Sequence, residues 1–192
     1  MEFGTVFHDH TAASINWLTQ QYGVPKTVIE LGVFEGHTTF NMTAMFASQY
    51  KDYKHYAIDP HEESGDLESD VVTQAGKTFR ANLEEFDLKN HIEYIPEYSW
   101  NGLMDLYKRG VKADLIYVDG DHRSPGVLED LVLGFKLLVP GGIMLCDDVN
   151  GWRADRLQDT PKLAVDSFIQ CYWDKVDVIR MPVAYQLAFK KC

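Results

Sequence analysis

The residues best equipped for chemistry in this chain form two short acidic groups, Asp119-Gly120-Asp121-His122 and Asp147-Asp148, each following an apolar run. Carboxylate oxygens brought in from neighbouring strand ends suit a hard divalent cation such as Mg²⁺, Mn²⁺ or Ca²⁺. Crowded together without one, they would repel and raise one another's pKa. Three carboxylates on two adjacent strand ends, with a histidine beside them, are therefore a candidate cation site. His122, with an ordinary pKa of about 6.5, can take a proton near neutrality and is the candidate general base. Standing alone, the same histidine would read as an ordinary surface residue; its neighbours give it weight.

A second group surrounds Val28-Ile29-Glu30-Leu31-Gly32-Val33-Phe34-Glu35-Gly36. An apolar run meets two glycines four apart, and Thr38, Thr39 and Phe40 open a helix: strand, tight turn, helix start. Glycine lets backbone approach a ligand closely, and the helix start offers unpaired N–H groups. Asp59 ends the next strand, placed to take both ribose hydroxyls of a bound nucleoside. The third glycine of Gly-x-Gly-x-x-Gly is missing and no Gly-Lys-Ser/Thr follows, so a pyrophosphate turn fits poorly and a triphosphate loop does not fit. The candidate cofactor residues are Glu30, Gly32, Gly36, Asp59, Ser99 and Asp119.

The elements that must carry these groups alternate. Helices are expected over Thr11–Tyr22, to Tyr50 after the glycine turn, over Asp70–Asp87, Ser99–Tyr107, around Leu128, Leu131, Val132, Phe135 and Leu138, and over Pro161–Trp173. Ser99 is the expected N-cap of its helix, and Pro140-Gly141-Gly142 the stop after Leu138. Strands are expected around Val28–Leu31 and over Tyr53–Ile58, His91–Ile95, Ala113–Val118, Ile143–Cys146, Val176–Ile179 and Ala184–Phe189, the last two joined by a turn at Pro182. His61 to Asp70 is polar and strongly acidic and reads as a loop, with a lid role open to Glu62-Glu63. The alternation predicts a doubly wound, mostly parallel seven-stranded α/β sheet with helices on both faces and an antiparallel strand near one edge. Ligands of such sheets gather beyond the carboxyl ends of the strands, which is where the acids fall.

Composition narrows the function. A chain of 192 residues with 45% hydrophobic and 24% charged content suits one domain, residues 1–192, with a helical N-terminal extension over 1–25. A net charge of −11 without a basic stripe argues against nucleic acid as the main partner. No apolar run reaches the ~18–20 residues of a membrane span. Cys146, Cys171 and Cys192 lack metal-type spacing and read as buried or free thiols of a reducing, cytoplasmic compartment. Weaker candidates are His8-Asp9-His10 for metal, His37 for cofactor, Tyr98 and Trp100 as adenine walls or core, Asn150 for metal and Trp152 for the substrate pocket.

Glu30-x-Gly32-x-x-x-Gly36 followed by Asp59 resembles the cofactor site of class I S-adenosylmethionine-dependent methyltransferases, over roughly Val28 to Lys190. The resemblance implies that the glycine turn passes the methionyl part and Asp59 holds the ribose. Asp119 with Asp147 and Asp148 resembles the cation site of the metal-dependent O-methyltransferases, catechol type and macrocin type. His122, three residues past Asp119, falls on the general base of the macrocin type, while Arg123 is too basic to replace the catechol-type lysine at neutral pH. The expectation is a Mg²⁺-assisted O-methyltransferase acting on a small hydroxylated molecule, a sugar diol or catechol whose vicinal oxygens chelate the ion, with a homodimer as one assembly. The alternatives are a hydrolase or dehydrogenase on the same fold, since fold alone does not fix chemistry, or a cofactor-binding module without catalysis.

Overall fold

The computed structural model describes residues 10–62, 68–151 and 155–192. Among them, seven strands form one sheet: β1 (Thr27–Leu31), β2 (Lys54–Ile58), β3 (Ile92–Ile95), β4 (Ala113–Val118), β5 (Leu138–Cys146), β6 (Val176–Ile179) and β7 (Leu187–Lys191). Their spatial order is β3-β2-β1-β4-β5-β7-β6. β1 to β5 run parallel, and β7 lies antiparallel to both β5 and β6. The helices are α1 (His10–Tyr22), α2 (His37–Ala47), α3 (Ser69–Glu85), α4 (Ser99–Lys108), α5 (Ser124–Leu137) and α6 (Pro161–Cys171).

The central strands are apolar on both sides because both sides are covered. Ile29, Leu31, Ile116, Val118 and Met144 pack with Leu103, Leu106, Val127, Leu131 and Phe168 from α4, α5 and α6. Val28, Leu115, Tyr117, Ile143 and Leu145 turn the other way, onto Ile15 and Leu18 of α1 and Met42 and Phe46 of α2. The N-terminal helix thus contributes to the core rather than hanging from it.

Three expectations shift. β5 begins at Leu138, and Pro140-Gly141-Gly142 lie inside it, where pairing with β4 slips between Ala113↔Leu138 and Leu115↔Ile143. Proline and two glycines there make an irregularity in a strand rather than a stop between elements. Ser99 is the first residue of α4, whose N-cap is Tyr98, with no side-chain cap bond. The buried face of α5 is set by Val127, Asp130, Leu131 and Gly134, whereas Leu128 is 38% exposed.

Candidate active site

β2 lies on one side of β1 and β4 on the other, so the chain reverses its winding direction at β1, and a crevice opens there. It is a cavity of about 800 Å³, lined from the ends of β1, β2, β4 and β5 and the first turns of α2, α4 and α5.

The glycine turn is held by the protein's own chemistry. Gly32 has φ +82° and Gly36 φ +87°, and Phe34 adopts φ +50° between them. A Cβ on Gly32 would lie 2.0 Å from the Asp119 carbonyl oxygen, and one on Gly36 would strike Phe40 and Phe79. Asp59 Oδ2 accepts the Val33 and Phe34 N–H groups at 2.7 and 3.0 Å, and Oδ1 accepts that of His61 at 2.7 Å. His61 in turn donates from Nε2 to the Phe34 carbonyl at 2.6 Å. Gly32 and Asp59 line the cavity, while Gly36 sits behind it as the N-cap of α2.

Glu30 reaches the cavity wall but its carboxylate is engaged. Oε2 accepts Thr39 Oγ1 of α2 at 2.6 Å and His55 Nε2 of β2 at 2.8 Å, all three side chains being buried. His55 Nδ1 faces the Tyr53 hydroxyl at 2.9 Å. These partners satisfy a buried acid that would otherwise be costly.

At the ends of β4 and β5, ligand atoms of Asp119, His122 and Asp148 lie within 4.8 Å of one another. His122 Nε2 is 3.8 Å from Asp119 Oδ1 and 3.4 Å from Asp148 Oδ2. Burial would lower the His122 pKa, but hydrogen bonding and attraction to the two carboxylates override it and push the imidazole up to about 10. Burial, reinforced by the charge of Asp147, lifts Asp119 to about 7 against the pull of His122. Asp148 owes its direction to a left-handed backbone, φ +52°.

Asp147 lines the same cavity but lies outside this three-residue group. Its Oδ2 accepts from the Tyr117 hydroxyl and from Thr11 Oγ1 at 3.4 Å, and Oδ1 accepts the Asp148 N–H at 2.8 Å. The same Tyr117 hydroxyl lies 3.0 Å from Asp119 Oδ2. Burial raises the Asp147 pKa, the Asp148 charge adding to it. The compact three-residue group is therefore Asp119, His122 and Asp148, with Asp147 one step behind it. Asp121 also lines the cavity, and its carboxylate is bound by the Arg123 backbone N–H at 2.9 Å and side chain at 3.1 Å.

The third region lies between α4 and α5. Tyr98 and Trp100 line the cavity at 45% and 50% exposure, which removes the core reading for both. Ser99 turns to Asp130, a buried carboxyl on the cavity wall that sequence inspection overlooks. Burial lifts Asp130 to about 7, with Ser99 pulling the other way. His37 lines the cavity and contacts Asn41. Asn150 instead ties down the strand preceding loop, bonding the Tyr185 and Ala184 carbonyls through its N–H and Nδ2 at 3.1 Å each. Glu62 accepts the Tyr98 hydroxyl at 3.0 Å. His8, Asp9, Glu63 and Trp152 lie outside the described residues, as does the His10 side chain. Tyr185, also missed, reaches the cavity beside the acids, and burial together with Asp147, Asp148 and Asp119 pushes its hydroxyl up to about 12.

A doubly wound sheet closed by an antiparallel terminal pair, with a glycine turn after β1 and acids ending β2, β4 and β5, is the architecture of class I methyltransferases. Residues 29–149 match the methyltransferase-domain family, and the chain belongs to it. An O-methyltransferase from Bacillus cereus in complex with SAH has this fold at TM-score 0.71 and 14% identity, over 98% of this chain and 84% of that one. The O-methyltransferase TomG from Streptomyces achromogenes, involved in tomaymycin synthesis and solved with SAM, matches at TM-score 0.69 and 14% identity, over 97% and 81%. An uncharacterized protein of Acanthamoeba polyphaga mimivirus is 27% identical over 157 residues. That match covers 79% of this chain, which spans only 64% of the viral protein's length. Among the described residues no helix is long and apolar enough to cross a membrane.

Proposed function

We propose that the protein is an S-adenosylmethionine-dependent O-methyltransferase assisted by a divalent cation, acting on a small molecule with vicinal oxygens such as a sugar diol or catechol. The observation that carries this reading is the convergence of Asp119, His122 and Asp148 on the wall of the cavity. Family membership supports methyl transfer, and structural neighbours with SAM or SAH support the donor. The cavity volume lies within the range of small-molecule sites. The carboxylates of Asp119 and Asp148 are oxygen donors suited to Mg²⁺ or Mn²⁺, with the imidazole of His122 beside them as the base.

When bound, the donor supplies an electrophilic methyl on a sulfonium and the cation supplies charge that acidifies a hydroxyl. The protein's part is positioning and proton management. The glycine turn, stapled by Asp59, leaves a wall that backbone alone defines, and Oδ1 of Asp59 retains capacity for a ribose hydroxyl. Asp119 and Asp148 present oxygens to one point, held by Tyr117 and by the turn at Asp148. His122 Nε2 is placed to receive the acceptor's proton, yet while both carboxylates face it unneutralised it remains an imidazolium. Neutralising those charges removes the causes of its raised pKa and returns it to a range where it can act as base.

The test is transfer of a labelled methyl group from S-adenosylmethionine to a panel of catechols and sugar diols, with Mg²⁺ and with EDTA. Transfer abolished by EDTA supports the full reading. Transfer indifferent to EDTA removes the cation and leaves His122 as a charge held by Asp119 and Asp148. No binding of the sulfonium nucleoside, measured by calorimetry, overturns the donor assignment.

A further inference from the structure

Beyond the ends of β1 and β2, two residues other than glycine carry left-handed backbone, and they are bonded to each other. Phe34 has φ +50° and His61 φ +49°, a region that bulky side chains rarely enter. Phe34 is the second residue of the turn that the Gly36 N–H closes onto the Val33 carbonyl at 2.8 Å. A positive φ at that position suits glycine or asparagine, not phenylalanine. Strain of this kind persists only where the surroundings impose it, and it gathers at ligand clamps. His61 is the part of the surroundings built to impose it. Its side chain is 2% exposed and stacks on Phe79 of α3, with 5.6 Å between ring centroids. It packs so near Gly76 that a Cβ there would lie 2.7 Å from the His61 Cβ.

Both ring nitrogens are engaged by the protein. Nδ1 faces the Tyr94 hydroxyl of β3 at 2.8 Å, and that hydroxyl oxygen lies 3.1 Å from the Asp59 carbonyl. Nε2 reaches the Phe34 carbonyl at 2.6 Å, and because a carbonyl only accepts, Nε2 carries a proton. His61 thus lines the cavity beside Val33, Phe34 and Glu35 with its nitrogens turned to the chain itself. Asp59 Oδ2 accepts the Phe34 N–H while His61 donates to the Phe34 carbonyl, so this residue is gripped at both ends of its backbone. We propose that His61 is a positioning residue for the methyl donor: its Nε2–H latches the Phe34 carbonyl and keeps the strained turn in the shape that receives the donor. A turn already ordered adds nothing to the entropy lost on binding, which raises affinity without a further contact. The inference rests on the donor assignment above and adds a residue that acts through the turn, not on the nucleoside.

Calorimetry with S-adenosylhomocysteine on the full chain and two variants tests the latch. His61→Gln puts an amide N–H near the place of Nε2, whereas the shorter amide of His61→Asn overlies Nδ1 and falls short of the Phe34 carbonyl. His61→Asn is expected to lose at least tenfold in affinity, and His61→Gln to stay within about threefold of the wild type. A role confined to backbone conformation predicts the opposite order, since asparagine tolerates positive φ better than glutamine does. His61→Asn binding as tightly as His61→Gln, or more tightly, would overturn the latch while leaving the donor intact. A second measurement needs no variant to fold: the ¹⁵N spectrum of the His61 ring in the wild type should show a proton on Nε2. A proton on Nδ1 alone would overturn the latch as well. Failure of the wild type to bind S-adenosylhomocysteine would overturn the latch and the donor assignment together.

Discussion

Asp119, His122 and Asp148 form a site in which the two carboxylates hold the charge of the imidazole between them. Asp148→Ala should lower kcat for methyl transfer by 10² or more, with S-adenosylhomocysteine affinity within a few-fold, since the positioning of the acceptor and not of the nucleoside is lost. Steady-state kinetics beside calorimetry separate these effects. Asp130 makes a different prediction. Its pKa is raised to about 7 by burial, from an ordinary value near 3.8. Between those values the folded chain holds a proton that the unfolded chain releases, so stability falls as pH rises across that window, by about 1.4 kcal/mol per unit for this group. It is highest below pH 4 and level above 7. Asp130→Asn, permanently neutral, should therefore gain stability over the wild type at pH 8 and lose that advantage near pH 4, read by urea denaturation at both.

At the scale of elements, the glycine turn is the part most sensitive to substitution. Gly32→Ala forces a methyl to 2.0 Å from the Asp119 carbonyl oxygen and a side chain into φ +82°. The cost should exceed about 3 kcal/mol, because β1 and β4 must separate. Gly23→Ala is the matched control, with φ +94° but open space around it, and should cost only about 1 kcal/mol. Equal losses in thermal unfolding would mean that backbone conformation, and not the approach of β1 to β4, is what Gly32 serves. The bond from His55 across to Glu30 joins β2 to β1 beneath the same turn. His55→Ala strands a buried carboxylate and should destabilise by about 3–5 kcal/mol, whereas Glu30→Gln with His55 intact should cost less, as chemical denaturation of the pair would show.

For the whole molecule, α1 links the core to the site. Ile15 and Leu18 are buried against the sheet, and Thr11 meets Tyr117 and Asp147 at the cavity. Deleting residues 1–22 should remove about 3–6 kcal/mol of apolar burial and lower Tm by 10 °C or more, with methyl transfer falling further than stability alone requires. A truncated chain with unchanged Tm and activity would show that α1 is dispensable.

Much of this was legible in the chain. Strands rich in Val, Ile and Leu, helices with apolar spacing, and glycine-marked turns are local patterns, and they predicted the alternation, the parallel sheet with its reversed strand and the collection of acids at strand ends. Local pattern also misled in part: Leu131, Phe135 and Leu138 are buried as the stripe predicts, but Leu128 is exposed, and Val127 and Asp130 take the buried face beside Leu131. Two further matters were beyond any local reading. Asp147 and Asp148 are equivalent as neighbours in sequence, yet one backbone turn at φ +52° sends Asp148 to His122 and leaves Asp147 to Tyr117 and Thr11. Asp59 and Glu30 read as ligand-facing acids, but each is first occupied in holding the turn or the sheet. Residue types and their spacing determine which elements form and where charge collects, because those depend on neighbours along the chain. Which carboxylates meet depends on register across β1, β4 and β5 and on the dihedral angles of single residues, and only the folded chain sets these.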